Sequence, residues 1–80
     1  MRHCDPMETF IKNLHLIRTR NDWTVTKLAE HCEMSQPEMS RLLNGHRRPH
    51  VDTLFDIATK LDFELHELLD PNFKNLVASH

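Results

Sequence analysis

Residues 24–45 read TVTKLAEHCEMSQPEMSRLLNG. Thr24 has the chemistry of a helix N-cap, and Val25, Leu28, Ala29 and Cys32 recur behind it at helical spacing, which predicts a short helix over about 25–32. After Glu33 and Met34 a second start follows. Ser35 caps, Glu38 stands three residues on to accept from the Ser35 amide, and Pro37 is tolerated within the first turn. Met39, Leu42 and Leu43 then form an inner face as far as Asn44-Gly45, where Gly accepts the left-handed backbone of a helix end.

Outward from this pair the chain continues in the same helical style. Upstream, Asp5 as N-cap, Pro6 as first helical residue and Glu8 predict a helix of about 7–20. Phe10, Leu14 and Ile17 are its buried stripe, Met7 and Ile11 flank it, and Lys12, Arg18 and Arg20 face water. Asn21-Asp22 ends the helix, and Trp23 packs as an apolar lid. Downstream, the loop 46–50 leads into a helix of about 51–61, with Leu54, Ile57, Ala58 and Leu61 inward, and a short helix of about 65–69 precedes Asp70-Pro71. The segment 72–80 keeps Phe73, Leu76 and Val77, which is too apolar for a disordered tail. With one Gly and four Pro among 80 residues, and no strand-like alternation, the fold class is all-α: five helices in a single domain, 1–80.

Composition removes several classes of function. No apolar run approaches the roughly 18 residues of a membrane span, and the first residues lack the apolar core of a secretory signal, so a cytoplasmic protein without a membrane partner is expected. Cys4 and Cys32 are expected as free thiols, since buried Cys behaves as a small hydrophobe and the compartment reads as reducing. Seven His invite a metal. No C-x-x-C and no helical H-x-x-x-H pair supports one, however, and His46 and His50 sit around Pro49 in a loop, so neither metal nor other cofactor is expected. No Ser-His-Asp or Cys-His arrangement and no Gly-rich phosphate loop signals an enzyme. The formal charge of −2 conceals an asymmetry: residues 41–50 carry three cations and no acid, whereas residues 51–80 carry two cations and six acids.

Two short helices across a three-residue turn, the second opening on a capped polar turn and followed by a basic loop, form a helix-turn-helix over about 24–44. Here the chain resembles the lambda-repressor, Cro and restriction-controller superfamily, the XRE type. The resemblance rests on Leu28-Ala29-Glu30, Ser35, Met39-Ser40-Arg41-Leu42, Asn44-Gly45, Arg47-Arg48-Pro49, and Leu54 with Ile57-Ala58-Thr59-Lys60-Leu61, in that order and spacing. It spans about residues 8–69. Two positions depart from the pattern. Val25 stands where the family often has a Gln that contacts phosphate or supports the reading helix, and Glu33 stands where it usually has Gly, so a non-Gly residue must accept that backbone at a cost of about 1 kcal/mol.

The resemblance implies a DNA-binding transcriptional regulator that reads the major groove with its third helix. Gln36, Pro37, Ser40 and Arg41 lie outward, opposite Met39 and Leu42, and are the base-reading candidates; a Gln on adenine or an Arg on guanine contributes about 1–3 kcal/mol of discrimination. Ser35, Asn44, His46, Arg47 and Arg48 are the phosphate candidates, which position the protein without specifying sequence. The C-terminal segment 62–80 is a candidate dimerisation segment through Leu65, Leu68, Leu69, Phe73 and Leu76, and a homodimer would demand a palindromic operator with reading helices about 34–36 Å apart. Phage repressor, restriction controller and antitoxin all fit, the last with a toxin as a further partner; each would act in a bacterial or phage-infected cell. From another class, a protein-interaction module that kept the fold and lost DNA reading is motivated by Val25 and the net acidity.

Overall fold

The computed structural model describes residues 5–46 and 48–75. Among these, five helices follow in order: α1 (Pro6–Arg20), α2 (Val25–His31), α3 (Gln36–Leu43), α4 (Val51–Lys60) and α5 (Leu65–Leu68), with a last helical turn over 73–75 and no strand. The starts follow the local chemistry. Asp5 Oδ1 accepts from the Met7 amide at 2.9 Å, and Thr24 Oγ1 accepts from that of Lys27 at 3.1 Å. Ser35 and Glu38 complete a reciprocal capping box: Glu38 N–H donates to Ser35 Oγ at 3.3 Å and Ser35 N–H to Glu38 Oε1 at 3.2 Å. α2, α4 and α5 each end one residue before the expected limit, because Cys32, Leu61 and Leu69 are C-caps with ψ near 0° that no longer continue the helix.

The ends share one device. After the caps of α1, α2, α3 and α4, a residue takes positive φ: Asp22 at 58°, Glu33 at 56°, Gly45 at 75° and Asp62 at 67°. The next amide then reaches back to the last turn, from Trp23 to Arg18 O at 2.8 Å, and from Met34 to Ala29 O, His46 to Arg41 O and Phe63 to Ala58 O at 2.9 Å each. These are Schellman endings. Trp23, Met34 and Phe63, the residues that follow three of the four left-handed positions, then fold back onto the core. Glu33 was the expected exception to glycine; Asp22 and Asp62 are two more. Replacing Glu33 by Gly is expected to raise stability by about 0.5–1 kcal/mol, since the left-handed penalty of about 1–2 kcal/mol exceeds the chain entropy Gly adds. The exposed Lys60–Glu33 pair at 3.7 Å offsets little of this. Urea denaturation reads the change, and a variant less stable than the parent would refute the strain.

All five helices contribute to one core, in which Phe10, Leu14, Leu28, Met39, Leu42, Ile57, Leu68 and Phe73 are fully buried. Cys32 is a free thiol in that core, and burial pushes it up to about 11, so it packs as a neutral hydrophobe. Asn13 is the buried polar group of the long-range packing: its Nδ2 donates to Leu68 O at 2.6 Å and to Asp70 O at 3.1 Å, fastening the end of α5 to the middle of α1. This corrects the expected dimer surface at two of its five residues. Leu68 and Phe73 are 0% exposed and belong to the chain's own core. Leu65 and Leu69 are half-buried against the same core, and Leu76 lies outside the described residues.

Arg18 also departs from expectation. It is half-buried, with Nη1 donating to Trp23 O at 3.2 Å and Nη2 to His15 Nδ1 at 3.4 Å. Burial first, and then the Arg18 charge, hold the His15 imidazole below its ordinary 6.5. The unfolded chain therefore takes up this proton first, and the fold loses stability as pH falls below about 6.5. His15→Gln is expected to flatten that decline in a series of thermal melts; a parallel decline in both proteins would refute it. Trp23 is the expected lid, with the exposed His31 ring stacked on it at 4.0 Å and 14°.

Candidate nucleic-acid interface

α3 buries Met39, Leu42 and Leu43, and this choice of inner face dictates the outer one. Gln36, Ser40 and Asn44 recur every four residues along the opposite side, with Pro37 and Arg41 beside them. Gln36, Pro37, Arg41 and Asn44 are exposed and Ser40 is half-buried. At about 1.5 Å per residue the row is about 12 Å long, comparable with the width of a major groove of about 12 Å. Its one charge is Arg41. Glu38, the acid within α3, is half-buried and turned back into the capping box, so no carboxylate stands on the row.

The four base-reading candidates thus share one face of one helix. Asn44 joins it: its Nδ2 lies 3.5 Å from Ser40 Oγ, so the two polar groups act as neighbours across the last turn of the helix. Ser35 is exposed at the N-terminus of α3, but its hydroxyl already serves the cap, accepting from the Glu38 amide and donating to Glu38 Oε1 at 3.0 Å. A phosphate there would meet the amides of the first turn and would have to share that hydroxyl. His46 and Arg48 are exposed on the loop leaving α3. Arg47 lies outside the described residues.

Arg48 has a partner that no local pattern foretells. Its Nη2 stands 3.0 Å from Asp5 Oδ2, across 43 residues of sequence, with 73% of the arginine side chain exposed. The Asp5 carboxylate is divided between two tasks, one oxygen capping α1 and the other holding Arg48. The Met7 amide, and after it Arg48, keep this carboxyl below its usual range. The pair closes one side of an open cleft that Met7, Ile11 and Gly45 also line. Asp5 therefore competes with any phosphate for one edge of the Arg48 guanidinium. Asp5→Asn keeps the cap, because Asn and Asp cap equally well, and removes the competing charge. It is expected to tighten DNA binding about two- to fivefold at fixed salt. Anisotropy titration measures this, and the gain should vanish on an Arg48→Ala background. A loss of affinity would mean that Asp5 orients Arg48 for the phosphate.

Val25 is half-buried and packs against the core. Its apolar side chain is thus explained by packing, and the phosphate contact that the resemblance assigns to this position has no polar group here to make it. Among the described residues no group of three His, Cys, Asp or Glu side chains could hold a metal ion, and no helix is long and apolar enough to cross a membrane.

Comparison with known proteins agrees with this geometry. The family profile described as helix-turn-helix matches residues 14–68, from the middle of α1 to the end of α5. No match was found among curated proteins or solved structures.

Proposed function

Because the chain belongs to the XRE and lambda-repressor-like helix-turn-helix family and is thereby a DNA-binding regulator, we propose that it is a sequence-specific homodimeric repressor that reads the major groove with α3. The observation that carries this reading is the acid-free row Gln36–Ser40–Asn44 with Arg41 at its side. Gln36 and Arg41 discriminate bases by paired hydrogen bonds, Ser40 adds a single hydroxyl, and Pro37 offers apolar contact to a thymine methyl. Asn44, His46, Arg47 and Arg48 hold phosphates, and Ser35 contributes the amide end of the helix.

A repressor of this kind acts by occupying a promoter in the cytoplasm of a bacterial or phage-infected cell, without a cofactor and without catalysis. Phage repressor and restriction controller fit the chain better than antitoxin. An antitoxin needs a surface for its toxin outside the helix-turn-helix, and Phe73, in the C-terminal stretch that would supply one, is committed to the core. The interaction module without DNA reading loses one of its motives, since the apolar Val25 serves the core.

Selection of bound duplexes from a random pool at about 0.15 M salt tests the proposal. Enrichment of an inverted repeat with half-sites about 10 bp apart, or a near multiple, is the expected result. No enrichment above non-specific background would refute sequence-specific reading and turn the search to a protein partner.

A further inference from the structure

Val51, at 59%, and Phe55, at 56%, are the exposed large hydrophobics among the described residues. They stand one turn apart on α4, and Thr59 follows after one turn more, so the three form a ridge along its outer side. A phenylalanine more than half exposed on a regular helix contributes little to the fold and marks a contact surface when it has an apolar neighbour. Beside this ridge the same spacing sets a second row, Asp52, Asp56 and Lys60, all exposed. Lys60 at its end is already opposed by Glu33, Nζ to Oε1 3.7 Å, which leaves the two aspartates as the uncompensated charges beside Phe55. The acidity continues on both sides. Asp56 and Lys60 share an open cleft of about 290 Å³ with Glu33 and Glu38, and Thr59 borders another of about 280 Å³ lined by Asp62, Glu64 and Glu67 with no cation.

We infer that the outer side of α4 is a docking surface for a basic amphipathic helix of a different protein, whose apolar stripe covers Val51 and Phe55 and whose Lys or Arg residues reach the carboxylates on either side. Shape and charge select this occupant together. Two apolar side chains one turn apart are the ridge that a facing helix receives between its own apolar side chains. The long stems of Lys and Arg can lie along that contact while their charged ends extend to Asp52 and Asp56, and further out to the acids of the two clefts. Like charge disfavours the other occupants. A second copy facing this side would set Asp52 and Asp56 against their own counterparts, and nucleic acid or an anionic lipid surface would meet the same carboxylates. The surface is separate from the outward row of α3, and its occupation by a partner does not depend on how that row reads DNA.

Titration of the ¹⁵N-labelled full chain with a synthetic Leu/Lys amphipathic helix of about 14 residues tests this at about 0.15 M salt. Amide shifts centred on residues 51–60 are expected, and the matching Leu/Glu peptide should cause none. Phe55→Ser should weaken binding of the Leu/Lys peptide at least about tenfold. Asp52→Asn with Asp56→Asn should weaken it about three- to tenfold and flatten its dependence on salt, while Glu8→Gln, an exposed acid of α1, should leave it unchanged. Peptide binding that Phe55→Ser does not weaken, or shifts centred elsewhere, would overturn the surface, as would no binding at all. Shifts at residues 51–60 that change on dilution of the chain alone would put a second copy on the ridge and overturn the proposed occupant. A thermal midpoint lowered by Phe55→Ser in the chain alone would put the chain's own residues there, with the same consequence.

Discussion

Phe73→Ala is expected to lower the unfolding free energy by about 3–5 kcal/mol, the usual cost of emptying a buried aromatic site. Small domains have about 5–15 kcal/mol in total, so the variant should sit near the edge of folding. The size of the effect follows from where Phe73 lies. It is 0% exposed, and its ring meets that of Phe63 edge-on at 5.0 Å, adding an aromatic contact to the buried area. It also follows α5 at the place where Asn13 holds the Leu68 and Asp70 carbonyls. Loss of the ring therefore loosens the closing turn of the fold as well as leaving a cavity. Phe73→Leu should cost much less, because most of the volume is kept. Urea midpoints for the three proteins at a concentration where all are monomeric separate packing from association. A cost below about 1 kcal/mol, accompanied by weaker self-association, would return Phe73 to an interface.

The second large effect is expected at the reading helix. Arg41→Ala should weaken binding to the selected operator by about 5–150-fold, equivalent to about 1–3 kcal/mol, while binding to unrelated duplex falls far less. Loss of specificity at one base-pair position would identify a guanine contact. A uniform loss, with the salt slope reduced by about one, would assign Arg41 to a phosphate. Gln36→Ala, one and a half turns earlier on α3, should relax a different position. The two losses should add if each side chain contacts its own base. Unchanged operator affinity in both variants would remove α3 from the recognition surface.

The helix starts were legible because their chemistry is local. Asp5, Thr24 and the Ser35–Glu38 box each satisfy amides within three residues, and the structure shows each of them. The inner faces of α1 to α4 were legible for the same reason, since helical periodicity alone puts Phe10, Leu14 and Ile17, or Met39 and Leu42, on one side. From α3 followed the outward row, because the polar face is whatever the apolar face leaves. The helix ends were less legible. Gly45 announces a left-handed residue, but Asp22 and Asp62 carry no such mark, and their backbone is imposed by Trp23 and Phe63 folding back onto the core.

Among the apolar residues of the C-terminal third, Leu68 and Phe73 turn inward. Leu68 and Phe73 exceed what five short helices plainly need when counted along the sequence, which suggested a partner. In three dimensions they fill the space between α1 and the end of α5, which Asn13 closes from 55 residues away. Val51 and Phe55, by contrast, stay exposed on α4, and nothing in the sequence of an amphipathic helix marks them. The Asp5–Arg48 pair was equally invisible, because nothing near either residue specifies the other.

Residues 24–45 by themselves determined the paired helices, the capped start of α3 and the side chains it turns outward. All of these depend on bonds and spacings within a few residues. The tertiary structure alone decided which surplus hydrophobics became core and which stayed on the surface, and which acid faces Arg48. Those outcomes depend on how α1, α4 and α5 pack together, a balance of long-range contacts that no short stretch of chain encodes.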